Sequence, residues 1–294
     1  MLEGRDLTKV FTSGFFGKRR FFAVKDVDIS IKKGEVITLL GESGSGKSTL
    51  AKLLCLLLEP TDGDVLLDGF RVTNLKGKEL KNFRKKVQMI PQHPEEALDP
   101  RWKIVKSVVE PAKIHGIIDK DEEDFAIELV ELVGLKKEHL ERFPKELSGG
   151  ELQRVVIARA ISLQPHFLIC DEPTSMLDAS IQALIIRLLL ELQRKLKMGI
   201  LFITHDVDLA RAISDKSLIM LRGEIVEETS LENALHPYTK LLMSSEIPEI
   251  HNFSDQLSGC QFFSYCDRRL KICETKKPDL IDLGEKKIRC HLYS

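Results

Sequence analysis

Between Phe21 and Leu40 the apolar positions lay out two strands. "FFAVKDVDISI" alternates polar and apolar residues as a half-buried strand does, the Lys32, Lys33, Gly34 triplet reads as a turn, and "EVITLL" is a nearly continuous apolar strand. That buried strand runs into a glycine-rich turn and then a helix, "KSTLAKLLCLLLE", which is how a parallel-sheet nucleotide fold begins. "GDVLLDG" reads as a strand ending in an Asp-Gly turn, and "KVQMI" as another strand, stopped by Pro91. From about Val105 to Leu147 the period lengthens to that of helices, as in "FAIELVELVGL". "FLIC" is a short apolar strand, "SIQALIIRLLLELQRKL" a helix, and "GILFIT" the next buried strand. "KSLIMLRGEIVEE" predicts an antiparallel pair turned at Gly223. After Leu241 this rhythm is lost, and a boundary near residue 245 sets off a cysteine-bearing tail.

A chain of 294 residues has room for one large α/β domain and a small appendage. Hydrophobic residues make up 43% and charged residues 30%, which suits a globular chain with an ample core. Lys plus Arg (44) nearly balances Asp plus Glu (45), so no global field recruits nucleic acid or an anionic membrane. The opening "MLEGRDLTKV" carries acidic residues and no long apolar core, unlike a signal peptide. The most apolar stretch, "ALIIRLLLEL", contains Arg187 and is far short of the roughly twenty residues that span a bilayer. Any membrane work is therefore expected from another chain. The basic run "KGKELKNFRKK" reads as a solvated face, "FFGKRRFF" as a hairpin tip, and Cys55 and Cys170 as core filling.

Two motifs carry chemistry. "GESGSGKS" fits the G-x-x-x-x-G-K-[ST] pattern, in which glycines let successive backbone N–H groups converge on phosphate oxygens at a helix N-terminus. Gly41, Glu42, Ser43, Gly44, Ser45, Gly46, Lys47, Ser48 and Thr49 are the candidate nucleotide ligands. Lys47 reaches the β- and γ-phosphates, and the Ser48 hydroxyl ligates Mg²⁺. The second motif is "FLICDEP": Asp171, at a strand end, can hold Mg²⁺ through water, and Glu172 can polarise an attacking water as general base. Alone, such an acidic pair reads equally as a helix-start signal. The upstream phosphate loop favours the site.

Downstream stands "LSGGELQR", Leu147 to Arg154, and with it the chain resembles the ATPase subunits of ABC transporters over roughly residues 1–240. The resemblance implies an α/β fold: a P-loop ABC-type nucleotide-binding domain at 1–245, with a RecA-like core, an antiparallel β subdomain and a helical subdomain at about 97–160. It implies that Phe11, in "LTKVF", stacks on adenine, and that Gln92, in "MIPQHP", couples Mg²⁺ and water to a transmembrane partner. Ser148, Gly149 and Gly150 match the signature that caps the γ-phosphate of an opposite subunit. Asp178, in "SMLD", matches the loop that faces across the dimer, and His205, in "ITHD", the switch histidine. One departure is Met176, where the family has a small residue. Lys47, Gln92, Glu172 and His205 are thus the implied catalytic set for ATP hydrolysis, with Ser48, Gln92 and Asp171 toward Mg²⁺.

"ALDPRWKIVKSVVEP", "LDASIQALII" and "HPYTKLL" resemble the oligopeptide, dipeptide and nickel importer ATPases, a group that typically ends in a cysteine-rich extension. The implied function is to power import of di- or oligopeptides, with nickel or oligosaccharides as alternatives. The implied setting is peripheral, on the cytoplasmic face of the membrane. The implied partners are two transmembrane permease subunits, a second homologous ATPase and, indirectly, an extracytoplasmic solute-binding protein. An exporter's ATPase half and a soluble DNA-repair ATPase are the rivals. The latter fits poorly, because only about a hundred residues, without heptads, separate phosphate loop and signature.

In the 246–294 extension, Cys260, Cys266, Cys273 and Cys290 are spaced by five, six and sixteen residues in a segment poor in apolar residues. A metal or disulfides can substitute for a missing core. Zinc favours C-x₂-C pairs, absent here, and disulfides suit an oxidising compartment. Four thiolates suit a [4Fe–4S] cluster, which some members of the resembled group carry. Zinc, disulfides and free thiols remain the alternatives.

Overall fold

The computed structural model describes residues 1–13, 19–118, 121–214, 216–244 and 259–294. The "FFGKRRFF" hairpin tip lies partly outside the described residues. The chain begins with strands β1 (Leu2–Ser13) and β2 (Arg19–Ile31), antiparallel, with Phe11 opposite Phe21. Strand β3 (Val36–Leu40) follows the Lys32 to Gly34 turn and leads into helix α1 (Lys47–Leu54). Strand β4 (Asp62–Leu67) turns through Asp68 and Gly69, both at positive φ, into β5 (Phe70–Arg71). These strands form a four-stranded antiparallel sheet in the order β2-β1-β4-β5.

Helix α2 (Gly77–Lys86) is the basic run; it buries Phe83 and leaves its lysines toward solvent. Strand β6 (Val87–Ile90) ends at Pro91 as read. Helices α3 (Ile104–His115), α4 (Glu122–Leu132) and α5 (Gly149–Ile161) then pack on one another. Next come β7 (Phe167–Asp171), α6 (Ala179–Leu196), β8 (Gly199–Thr204), α7 (Val207–Ile213), and the hairpin β9 (Lys216–Leu221) and β10 (Glu224–Thr229). Arg222 and Gly223 are both at positive φ, the geometry of a two-residue turn matched to strand twist. Helix α8 (Pro237–Ser244), a short helix α9 (Ile272–Thr275), and strands β11 (Ile281–Asp282) and β12 (Lys287–Ile288) complete the described chain.

The second sheet has the order β11-β12-β10-β9-β3-β8-β7-β6, with β9, β3, β8, β7 and β6 parallel. Its central strands are buried on both faces, so successive residues feed different cores. Leu168, Cys170, Ile200 and Phe202 enter the core built with α3 to α6. Phe167, Ile169, Leu201 and Ile203 enter the core shared with α1 and the antiparallel sheet. Cys55 and Cys170 are core filling, with thiols pushed up by burial, Cys55 to about 12.

The tail joins this architecture directly. Strand β12 pairs with β10, Ile288 opposite Glu227, and Phe262 and Cys266 share a core with Leu40, Ile219 and Tyr238. Buried Glu224 on β10 faces the ammonium of Lys277 at 2.8 Å and that of Lys25 at 3.7 Å, so the tail and strand β2 together neutralise its charge. Among the described residues no helix is long and apolar enough to cross a membrane.

Candidate functional site

The phosphate loop, residues 41–48, joins the C-terminal end of the central strand β3 to α1. Gly46 sits at φ 109°, and a Cβ there would meet the Ala23 carbonyl oxygen at 2.1 Å, so only glycine lets the chain enter α1 this way. Lys47 is buried, and its Nζ donates to the carbonyls of Gly41 and Glu42, each at 2.7 Å. Burial lowers its pKa, against the opposing pull of the Glu172, Asp171 and Glu42 carboxylates. Ser48 Oγ donates to Asp171 Oδ1 at 3.1 Å, which brings the two expected Mg²⁺ ligands together across 123 positions of sequence. Burial raises the Asp171 pKa, the Ser48 hydrogen bond opposes this, and the Glu172 carboxylate adds to it. A buried carboxylate and a hydroxyl beside a phosphate loop are a donor set that fits Mg²⁺.

Glu172 departs from β7 at φ 45°, a left-handed conformation that costs about 1–3 kcal/mol in a non-glycine residue. Its amide is held by the Ile203 carbonyl at 3.1 Å. Two predicted residues converge on its side chain: Gln92 Nε2 donates to Oε2 at 3.3 Å, and His205 Nδ1 lies 3.4 Å from the same oxygen. Ser48, Gln92, Asp171, Glu172 and His205 therefore stand as two adjoining clusters, at and just beyond the ends of β3, β6, β7 and β8, where open α/β sheets bind ligands.

Other predicted residues lie elsewhere. Phe11 is exposed on β1, with Lys9 Nζ 5.5 Å from its ring centre. Ser148 caps α5, and both its amide and its hydroxyl donate to Glu151 Oε2 at 2.8 Å, a capping box. Gly149 and Gly150 pack against Leu177 and Ile181, and Asp178 caps α6 by accepting from the Ile181 amide at 3.0 Å. Met176 is exposed beside them. Residues 148–150 and 177–181 are thus engaged with each other. Two supporting residues escaped the sequence reading. His139 Nε2 meets Glu151 Oε1 at 3.1 Å, and the Tyr238 hydroxyl accepts from the Glu42 amide at 3.3 Å. The S-x-x-E spacing of the capping box was readable, but nothing local announces either partner.

Cys260, Cys266, Cys273 and Cys290 are free thiols that line one cavity, closed in part by His236 and Phe262. Burial pushes the Cys260 thiol up to about 11, and the charge of the other three adds to the shift. Burial likewise raises Cys266 and Cys290. Among the described residues, no group of three or more His, Cys, Asp or Glu side chains is arranged to hold a metal ion. This arrangement gives no support to the expected [4Fe–4S] cluster, nor to zinc in its place.

A phosphate loop on the central strand, with a carboxylate pair two strands away, defines an ATPase of the P-loop class. The chain belongs to the ABC transporter family, whose family model matches residues 24–175. It is similar to the putative peptide import ATP-binding protein BAB2_1053 of Brucella abortus, 38% identical over 292 residues, covering 92% of this chain and 86% of that protein. It is equally similar to the oligopeptide transport ATP-binding protein AppF of Bacillus subtilis, 38% identical over 323 residues, covering 100% and 98%. A solved dimeric ATP-binding cassette, in a post-hydrolysis state bound to ADP and Pi, superposes with a TM-score of 0.70 at 29% identity, over 78% of this chain and 99% of that one.

Proposed function

We propose that this chain is the ATP-hydrolysing subunit of a peptide importer, acting as one of a pair of cassettes beneath two transmembrane permease subunits. The observation that carries the enzymatic part is the convergence of Gln92 and His205 on Glu172, beside the Ser48–Asp171 pair. The peptide substrate and the membrane setting are supported by the names of the relatives.

Residues 41–49 cradle the phosphates, with Lys47 reaching from its loop carbonyls to the β- and γ-phosphate oxygens, and Phe11 stacks on adenine. Ser48, Asp171 and Gln92 hold Mg²⁺, which supplies charge neutralisation at the phosphate oxygens when bound. Glu172 accepts a proton from the attacking water, Gln92 orients it, and His205 donates a hydrogen bond to a γ-phosphate oxygen. The Ser148, Gly149 and Gly150 turn and Asp178 serve a second cassette's nucleotide, through the anion-receiving start of α5. Two cassettes facing each other in this way complete two sites.

The four tail cysteines are the ligands of an iron–sulfur cluster in this reading. What supports the reading is the one cavity that all four line, in which burial raises the Cys260, Cys266 and Cys290 thiols. Bound there, the cluster would add cross-links to a tail already anchored by Phe262 and Ile288.

Anaerobic purification followed by iron, sulfide and zinc assays tests the tail; about four irons per chain, lost in Cys266→Ser, are expected. One zinc, or no metal, overturns the cluster. Reconstitution with the permease subunits tests the rest. MgATP-dependent uptake of labelled oligopeptides is expected, and uptake of nickel or oligosaccharides instead overturns the peptide assignment.

A further inference from the structure

The phosphate loop is supported from behind by two elements distant in sequence. The Glu42 amide donates to the hydroxyl of Tyr238 on α8 at 3.3 Å. The Ser45 carbonyl accepts from the Gly223 amide in the β9–β10 turn at 2.8 Å. Both supports are in turn held by the tail. The Phe262 ring packs on Tyr238 with centroids 5.5 Å apart and planes 59° apart, and Gln261 Oε1 accepts from Arg222 Nη1 at 3.3 Å. Tyr238 is fully buried and Phe262 is 3% exposed, so neither ring has room to swing away.

These contacts bear on Lys47 through one peptide group. The Gly41 carbonyl and the Glu42 N–H belong to the same rigid plane. Tyr238 holds the N–H end of that plane, and Lys47 Nζ is bound at its carbonyl end, 2.7 Å away. Rotation of the plane would move the lysine's acceptor and turn the Glu42 amide toward or away from a phosphate.

We propose that Tyr238 is a positioning residue of the nucleotide site: its hydroxyl fixes the Gly41–Glu42 peptide, and so Lys47, while the tail keeps Tyr238 in place through Phe262. The tail is then part of the ATP site's support as well as an appendage to it. Removing the hydroxyl leaves the ring packing intact, so the chain keeps its fold while the peptide gains freedom. A neutral hydrogen bond of this kind corresponds to a change of about threefold to tenfold in an equilibrium constant.

The proposal rests on reading residues 41–48 as the ATP site, and the test keeps the two apart. MgATP binding and basal hydrolysis are measured on the full chain, its Tyr238→Phe variant and its Phe262→Leu variant, each checked by thermal unfolding. Tyr238→Phe is expected to raise Kd and KM for MgATP about threefold to tenfold, with kcat within twofold. Phe262→Leu is expected to move KM in the same direction, by less. A parent chain that binds no MgATP sinks the ATP-site reading. A parent that binds it, with Kd and KM unchanged in Tyr238→Phe, overturns the proposal. If Tyr238→Phe does not fold, Phe262→Leu decides: a raised KM upholds the proposal and an unchanged KM overturns it.

Discussion

Glu172 leaves its strand at a positive φ, and that turn carries its carboxylate to where Gln92 and His205 reach the same oxygen. A strained residue with a carboxyl end shared by two polar side chains is arranged to handle a proton. Replacing it by glutamine keeps the size and most contacts but removes the base. Glu172→Gln is expected to lower kcat for ATP by about 10²- to 10⁴-fold while MgATP binding stays within a few-fold of the parent. Phosphate release and equilibrium nucleotide titration measure the two quantities separately. Retention of kcat within tenfold would remove Glu172 from the role of base. The identity of this residue was legible beforehand, because an acidic pair after an apolar strand is a local pattern. Its neighbours were named only through the family resemblance, since they come from other strand ends.

Helix α5 shows the same division one level up. Its start is written in "SGGE": Ser148 caps, Glu151 closes the box, and two glycines leave room. What fills that room is a segment thirty residues on. A Cβ on Gly150 would come within 2.6 Å of Ile181 Cγ2, and one on Gly149 within 3.2 Å of Leu177 Cδ2. Gly150→Ala therefore makes either the Ile181 side chain or the contact between α5 and the start of α6 give way. A loss of about 1–3 kcal/mol in denaturant unfolding is expected, as in other overpacked cores. Unchanged stability would mean that Ile181 adjusts freely. Loss of that contact separates the signature from Asp178, so ATP turnover by paired cassettes is expected to fall with it.

For the whole molecule, the tail is the element the sequence reading described least well. Its sparse apolar residues predict a segment in need of a staple. In the structure its Phe262 and Ile288 are buried, it adds β11 and β12 to the main sheet, and it offers Lys277 to buried Glu224. His236 stands at this junction, almost fully buried, with Nδ1 accepting from the Tyr238 amide at 3.0 Å. Burial lowers its pKa from 6.5 to about 4. Between those values the unfolded chain binds a proton that the folded chain refuses, so stability rises with pH across that window and is fully present above it. The loss relative to neutral pH reaches about 3 kcal/mol at the acid end. Denaturant unfolding from pH 4 to 7 is expected to show a shallower slope for His236→Asn than for the parent; parallel slopes would place the titration elsewhere.

The sequence by itself determined the parts that depend on neighbours in the chain. The phosphate loop, the strand bearing Asp171 and Glu172, the Asp68–Gly69 and Arg222–Gly223 turns, and the cap of α5 are each set by side-chain chemistry within a few residues. Tertiary structure alone decided the rest. It set β3 between β8 and β9, brought Ser48 to Asp171 and Gln92 to Glu172, split alternate residues of β7 and β8 between two cores, and laid the tail against the phosphate loop through Tyr238. The reason is physical: which surfaces meet depends on burying whole faces together, and the free energy of that burial belongs to no single stretch of chain.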